Sequence, residues 1–338
     1  MSVTIKDVAK EVGVAPSTVS RTLQDHPSIS KETKEKVRRA MDRLGYVPNV
    51  AAQNLAKNFA NTIGVILPVS DSKERQSNPI YLEMITAMNE EARKQQVTIA
   101  IASGTTQAQL LENVELMYRQ KRVDGFILLY VKEKDPVLAY LIKTKIPYTV
   151  IGSPYDYSNE SSCVDNDNNL LGYAACDHLM TKGHESILFV TNNIDENFVY
   201  ERYSGYEKAL RGRGYQVHPL VPLIQSTDYD HFRELVAFVK PTACIAIDDM
   251  FALRLMQMVN FLGYQVPDDI SVISFNHSIF SSLIHPYLTS LDINTMLLGK
   301  TAIEEFLNQL RTPNAVKKRV IIPHTLIEQE TVRRIKED

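Results

Sequence analysis

Apolar positions in the first sixty residues recur at spacings of three and four. In TIKDVAKEVG, Ile5, Val8, Ala9 and Val12 share one face of a helix. Thr4 is a good N-cap with Asp7 three residues on, close to a capping box. Gly13 stands where a glycine commonly ends a helix. GVAPSTVSRTLQ then reads as a second helix with Pro16 in its first turn. Ser30 caps a third, SKETKEKVRRAMDRLG, with Thr33, Val37, Ala40, Met41 and Leu44 on one face and Gly45 as its stop.

From Ile63 the pattern changes to short apolar, β-branched runs: TIGVILP, VTIAIAS, DGFILLY, PYTVIG, SILFVT, ACIAI and ISVISF. Helical patterns lie between them, such as YLEMITAMNEEARKQQ, AQLLENVELMYRQK, NLLGYAACDHLMTKG and FALRLMQMVNFLG. Strands alternating with helices and apolar on both faces predict parallel sheets covered by helices. The runs fall into groups before and after about residue 153, which predicts two lobes. The expected fold is α/β: an all-α helix-turn-helix headpiece followed by a two-lobe body of doubly wound parallel sheets. The pattern divides the chain into short helices over residues 4–60 and an α/β body from Ile63 onward.

The chain has 338 residues, 44% hydrophobic and 23% charged, a balance that argues against wholesale disorder. Its formal net charge of −3 hides an asymmetry. Residues 1–60 hold ten Lys and Arg against six Asp and Glu, a net +4, which leaves −7 for the remainder. A basic head on an acidic body suits a polyanionic partner, although a short segment can be unbalanced by chance. Cys163, Cys176 and Cys244 are widely spaced and lack CxxC, against a disulfide framework or structural zinc. Cys244, in ACIAI, reads as a small core residue. There is no run of transmembrane length and no signal-peptide pattern at the N-terminus. A cytoplasmic protein with no membrane partner is expected, and no metal site or catalytic set stands out.

The second helix is too rich in hydroxyls for a purely supporting role, because Glu and Lys are better helix formers than Ser and Thr. Its short connection to the first helix matches a helix-turn-helix, whose second helix enters the major groove. Ser17, Thr18 and Ser20 could then meet base edges or phosphates, Arg21 could bind guanine bidentately, and Val19 would pack inward. On charge and pattern alone, a small helical bundle with a polar face is the alternative.

TIKDVAKEVGVAPSTVSRTLQ, continued by SKETKEKVRRAMDRLGYVPNVAAQNLA, closely resembles the headpiece of the lactose/galactose-type repressors, the LacI/GalR family. The resemblance implies that Thr18, Ser20 and Arg21 contact an operator. It implies that Pro16 and Ser17 occupy variable reading positions, and that Thr4 and Tyr46 join the DNA-contacting set. Proline offers only an apolar contact, so one hydrogen-bonding reader is missing. NVAAQNLAKN matches the family's hinge helix, with Asn49, Ala52, Gln53 and Leu55 on the matching positions. Leu55 would act as a wedge that unstacks a base step in the minor groove. Two such wedges require a homodimer on near-palindromic double-stranded operator DNA.

The body pattern is similar to the periplasmic sugar-binding fold of the same family, so the likeness covers nearly the whole chain. Ligands in such sheets lie beyond the carboxyl ends of strands. Arg202, in ENFVYERYSGYEKAL, matches the family's ligand-gripping arginine, and a guanidinium can donate two parallel hydrogen bonds to adjacent hydroxyls. Asp248 after ACIAI and Asn276 after ISVISF fall on further ligand positions. Many relatives carry Asn first and Asp second there, so the order is exchanged. Asp249 is expected to cap the next helix. Tyr81, Tyr130 and Phe275 would offer aromatic faces, although Tyr130 could equally pack between lobes. Asp165 in VDNDN is expected at a helix entry, and His178 and His184 are expected to be structural.

No GxGxxG follows the first strand, so no dinucleotide, and no other cofactor, is expected. Within the family, QKRVDGFILLYVKEKDP and VDNDN are similar to maltose-operon repressors, which implies maltose or a related α-glucoside as the small sugar effector. A sugar- or carrier-protein-responsive carbon regulator of the same family is the alternative. A cytosolic sugar-processing enzyme is disfavoured. Asp248 and Asp249 are adjacent and point apart, whereas glycosidases need carboxyls flanking the bond.

Overall fold

The computed structural model describes residues 3–23, 25–46, 60–69, 78–130, 132–154, 159–194, 196–224, 228–312 and 314–335. They fall into two units, residues 1–60 and 61–338.

In the first unit, helices α1 (Ile5–Val12), α2 (Pro16–Leu23) and α3 (Lys31–Leu44) enclose Val8, Ala9, Val19, Val37 and Ala40. The predicted boundaries hold for local reasons. The Asp7 carboxylate accepts from the Thr4 amide at 2.8 Å and the Thr4 hydroxyl at 2.7 Å. Ser30 Oγ accepts from the Thr33 amide at 3.2 Å. Gly13 and Gly45 end α1 and α3 with φ of 74° and 65°, which glycine adopts without strain.

The second unit holds two six-stranded sheets. The first contains β1 (Thr62–Ile66), β2 (Thr98–Ala102), β3 (Gly125–Leu128), β4 (Tyr148–Ile151), β5 (Ser162–Asn166) and β11 (Arg319–Ile322), in the order β11-β5-β4-β3-β1-β2, all parallel. The second contains β6 (Ile187–Thr191), β7 (Val221–Pro222), β8 (Ala243–Ala246), β9 (Ser271–Phe275), β10 (Thr289–Asp292) and β12 (Thr325–Ile327), in the order β12-β10-β9-β8-β6-β7. β12 runs antiparallel to β10. The sheets are accompanied by α4 (Pro79–Lys94), α5 (Gln107–Arg119), α6 (Pro136–Thr144), α7 (Asn168–Thr181), α8 (Asn197–Gly212), α9 (Tyr229–Val239), α10 (Asp249–Phe261) and α11 (Thr295–Arg311). Cys244 is fully buried in β8, the core role expected of it.

The two-lobe α/β architecture is as expected, but the chain does not simply change lobes near residue 153. β5 still belongs to the first sheet, and the chain first crosses at 166–168. It returns after β10, at 292–295, so that α11 packs on α4 and β4 of the first lobe. β11 then joins the first sheet, and a third crossing at 322–325 places β12 in the second. Periodicity missed β5 because SCVDN carries two polar residues at its end, and missed β7, β10, β11 and β12 because they are short. β2 departs from the two-sided apolar pattern because it is an edge strand, which leaves Ile101 52% exposed.

Candidate functional site

In the headpiece, Val19 is wholly buried, so α2 turns its opposite side outward. Pro16, Ser17 and Arg21 are exposed, and Thr18 and Ser20 are half-buried. Thr22 goes the other way: it is buried, and its hydroxyl donates to the Thr18 carbonyl at 2.9 Å. The hydroxyl-rich pattern thus separates into one inward threonine and three outward groups. Most neighbouring cations are already paired. Lys34 and Arg38 reach Asp25 at 2.9 and 3.5 Å, Lys36 reaches Glu32 at 2.8 Å, Arg39 reaches Glu35 at 3.6 Å, and Arg43 pairs with Glu11. Arg21 has no carboxylate partner among the described residues. Thr4 is exposed, and Tyr46 packs half-buried on the three-helix core. Asn49, Ala52, Gln53 and Leu55 lie outside the described residues.

In the body, a cavity of about 500 Å³ is lined by both lobes. Arg202 reaches it from α8 while only 5% exposed. Its guanidinium lies between the rings of Phe198 and Phe275, at 4.8 and 4.4 Å. Nε donates to Asn168 Oδ1 at 3.1 Å and Nη1 to the Ile247 carbonyl at 3.0 Å. Burial pulls its pKa down to about 10, with Asp165 and Asp248 opposing, so it remains a cation at neutral pH. Two of the five guanidinium donors are used, which leaves three for a ligand. Two glycines permit this placement. A Cβ on Gly172 would lie 1.8 Å from the Arg202 carbonyl, and one on Gly205 would lie 1.9 Å from the Asn169 carbonyl. α7 and α8 therefore touch backbone to backbone beneath the arginine.

Tyr81, Tyr130, Asp248 and Asn276 also line the cavity. Asn276 holds a positive φ of 89° just after β9. The Tyr130 hydroxyl is buried without a hydrogen-bond partner, and burial beside Asp135 raises its pKa, so the ring is what it presents to the cavity.

Three expectations are corrected. Phe275 does not reach the cavity. It is fully buried under Arg202 because it closes β9 with its side chain inward, and Phe198 supplies the lining ring instead. Asp249 does not cap α10. Asp248 does, in an extended conformation with Oδ1 accepting from the Phe251 amide at 2.7 Å. Asp249 is buried and accepts from the Ser278 and Met250 amides at 2.6 and 2.9 Å, tying α10 to the segment after β9. Asp165 is not the helix entry. It lies in β5, and Asp167 caps α7 through the Leu170 amide at 2.9 Å.

Asp165 instead faces the cavity with Asn166 and Asn168, residues that the strand-end rule applied to VDNDN would have found. Its carboxylate accepts from Ser153 Oγ at 2.6 Å and the Asn166 amide at 2.8 Å, and burial raises its pKa. Burial, then Asp165, also raise that of Glu201. Among the described lining residues, Asp165, Glu196, Glu201 and Asp248 are the carboxylates and Arg202 is the single cation.

His184 is buried between Thr242 Oγ1 and the Arg333 carbonyl, each at 3.1 Å, a structural setting away from the cavity lining. His178 lies 3.8 Å from Glu328, also outside that lining. No cluster among the described residues could hold a metal ion, and no helix among them is long and apolar enough to cross a membrane.

A helix-turn-helix unit joined to a two-lobed cleft unit defines a DNA-binding protein with a ligand-binding body. The profile of bacterial regulatory proteins of the lacI family matches residues 4–49, and that of the periplasmic binding protein-like domain matches residues 176–332. The HTH-type transcriptional regulator MalR of Staphylococcus xylosus is 33% identical over 339 residues, covering 99% of each chain. Two solved structures share the fold. One, of a probable maltose operon transcriptional repressor from Staphylococcus, has a TM-score of 0.76 at 26% identity and covers 82% of this chain and 100% of its own. The other, the lac repressor dimer bound to operator, has 0.78 at 24% identity and covers 98% and 100%. The chain belongs to the lacI family of bacterial regulatory proteins. It is a DNA-binding transcriptional repressor and not an enzyme.

Proposed function

We propose that this repressor binds a near-palindromic operator as a homodimer in the cytoplasm, and that an uncharged sugar between the lobes sets its operator affinity. The favoured effector is maltose or a related α-glucoside. In this reading residues 1–47 form the headpiece, 48–61 the hinge and 62–338 the effector and dimerisation domain. Thr18, Ser20 and Arg21 contact the operator, with Pro16 and Ser17 tuning sequence preference and Thr4 and Tyr46 flanking them. Asn49, Ala52, Gln53 and Leu55 belong to the hinge, with Leu55 as the minor-groove wedge. Arg202, Asp248 and Asn276 bind sugar hydroxyls, and Tyr81 and Tyr130 supply faces for the rings.

The observation that carries the effector assignment is the charge of the cavity. Among the described residues, four carboxylates and one guanidinium line it, together with asparagines such as Asn78, Asn192 and Asn193. Such walls offer donors and acceptors to hydroxyls but repel an anion, so a neutral sugar fits and a sugar phosphate does not. The likeness to maltose regulators supports the choice within that class.

The test is calorimetric titration with a panel of maltose, other α-glucosides and glucose 6-phosphate, repeated with operator DNA. Maltose should bind and should change operator affinity at least about tenfold, which is about 1.4 kcal/mol of differential binding. Binding of the phosphate ester in preference to every neutral sugar would overturn the assignment.

A further inference from the structure

Each lobe folds around its own sheet, and three segments of chain cross between them. One side chain touches all three crossings. Asn166, the last residue of β5, is 3% exposed and stands at the start of the first crossing. Its Nδ2 donates to the Ile293 carbonyl in the second crossing at 3.0 Å and to the Ile322 carbonyl at the third at 2.9 Å. Those partners are 127 and 156 residues away in sequence. A primary amide has two N–H donors, so both are committed to the crossings. On the outer side, Asn294 ties the second crossing to the third by donating from Nδ2 to the Pro323 carbonyl at 2.5 Å.

The same residue meets the cavity. Asn166 is among its lining residues, and its Oδ1 accepts no hydrogen bond from the described chain. Its backbone amide donates to Asp165 Oδ1, which also accepts from Asn168 Nδ2 at 3.3 Å, and Asn168 Oδ1 accepts from Arg202. A continuous hydrogen-bond path therefore runs from the crossings to the cleft arginine.

We propose that Asn166 is the positioning residue that sets the angle between the two lobes, because its one carboxamide ties all three inter-lobe crossings. Buried hydrogen-bonded groups are costly to leave unpaired, so loss of this amide releases three segments at once. Its consequence for the effector rests on the reading above, whereas the tie itself does not.

The test uses the full chain without sugar. Spin labels at Glu112→Cys on α5 and Glu234→Cys on α9 report the distance between lobes. Both positions are exposed, and the native cysteines are all buried. Dilution with excess unlabelled chain confines the signal to pairs within one chain. The parent should give one narrow distance distribution. Asn166→Asp, nearly isosteric but setting a carboxylate against two carbonyls, and Asn166→Leu should each broaden it at least about twofold while thermal unfolding stays cooperative. A general loss of stability would lower Tm without broadening the folded-state distribution. Widths equal to the parent's would overturn the proposal.

Should both variants fail to fold, the side-chain amide protons of Asn166 in the parent provide the check. Exchange at least about tenfold slower than that of exposed asparagines supports the tie, and equal exchange overturns it. Adding maltose to the labelled parent then separates the two readings. A parent that does not respond to maltose overturns the choice of maltose as effector and leaves the sugar-free result for Asn166 standing.

Discussion

Arg21 and Arg202 show how far surroundings can separate two residues of one type. Arg21 is exposed and free of carboxylates among the described residues. Arg21→Ala should cost about 1–3 kcal/mol of operator binding, seen as a tenfold or greater loss in a binding isotherm, with sugar titrations unchanged. Arg202 is buried, and its charge is supported by two aromatic faces and two acceptors. Arg202→Met retains the stem between the rings and removes the fork. It should abolish the sugar response while operator binding persists, and an unchanged response would place the cleft elsewhere. His184 contributes to the pH dependence of stability. Burial lowers its pKa to about 4, so the folded protein binds that proton more weakly than the unfolded chain. Its contribution is fully present above about pH 6.5 and is lost as pH falls towards 4, up to about 3 kcal/mol. Urea denaturation of His184→Gln should show a flatter loss of stability over that interval than the parent.

Helix packing holds the cleft arginine in place. α7 and α8 approach so closely at Gly172 that an added methyl would overlap the Arg202 carbonyl. Gly172→Ala must push the two helices apart, at a cost of about 1–3 kcal/mol or more, and it shifts Arg202 with them. Both Tm and sugar affinity should fall. Gly212→Ala, at the end of the same α8 with nothing within 4 Å of the added carbon, should leave both nearly unchanged. Equal effects of the two substitutions would show that the contact is not limiting. α2 illustrates the converse: Val19 and Thr22 are its buried residues, and Pro16, Ser17 and Arg21 lie exposed on its outward side.

Charge is divided across the chain, with a basic head and an acidic remainder whose cleft, among the described residues, is lined by four carboxylates and one cation. The two binding events should therefore differ in their response to salt. Operator binding releases counterions from DNA, so raising salt from about 50 to 200 mM should weaken it by a factor of ten or more. Binding of a neutral sugar involves no net charge and should change less than about twofold over the same range. Filter binding and calorimetry on one preparation give both slopes. A strong salt dependence of sugar binding would point to a charged effector and against the cleft chemistry described above.

Local rules made the headpiece legible from sequence. Thr4, Ser30, Gly13 and Gly45 act through contacts within a few residues, so their types and spacing suffice to set the ends of α1 and α3. The strand-helix alternation likewise reports two-sided burial, and it revealed parallel sheets and two lobes. The cleft was legible only in part. Arg202, Asp248 and Asn276 lie just beyond strands or early in a helix and were found there. Phe275 looked equivalent to them, but side-chain direction at a strand end depends on what covers the sheet, and Arg202 covers it. Asp248 and Asp249 could exchange roles on paper, because which aspartate caps a helix depends on where the helix starts. The crossings were hidden altogether. Asn166 finds its partners 127 and 156 residues away, and no local pattern encodes hydrogen bonds that exist only once three distant segments lie side by side.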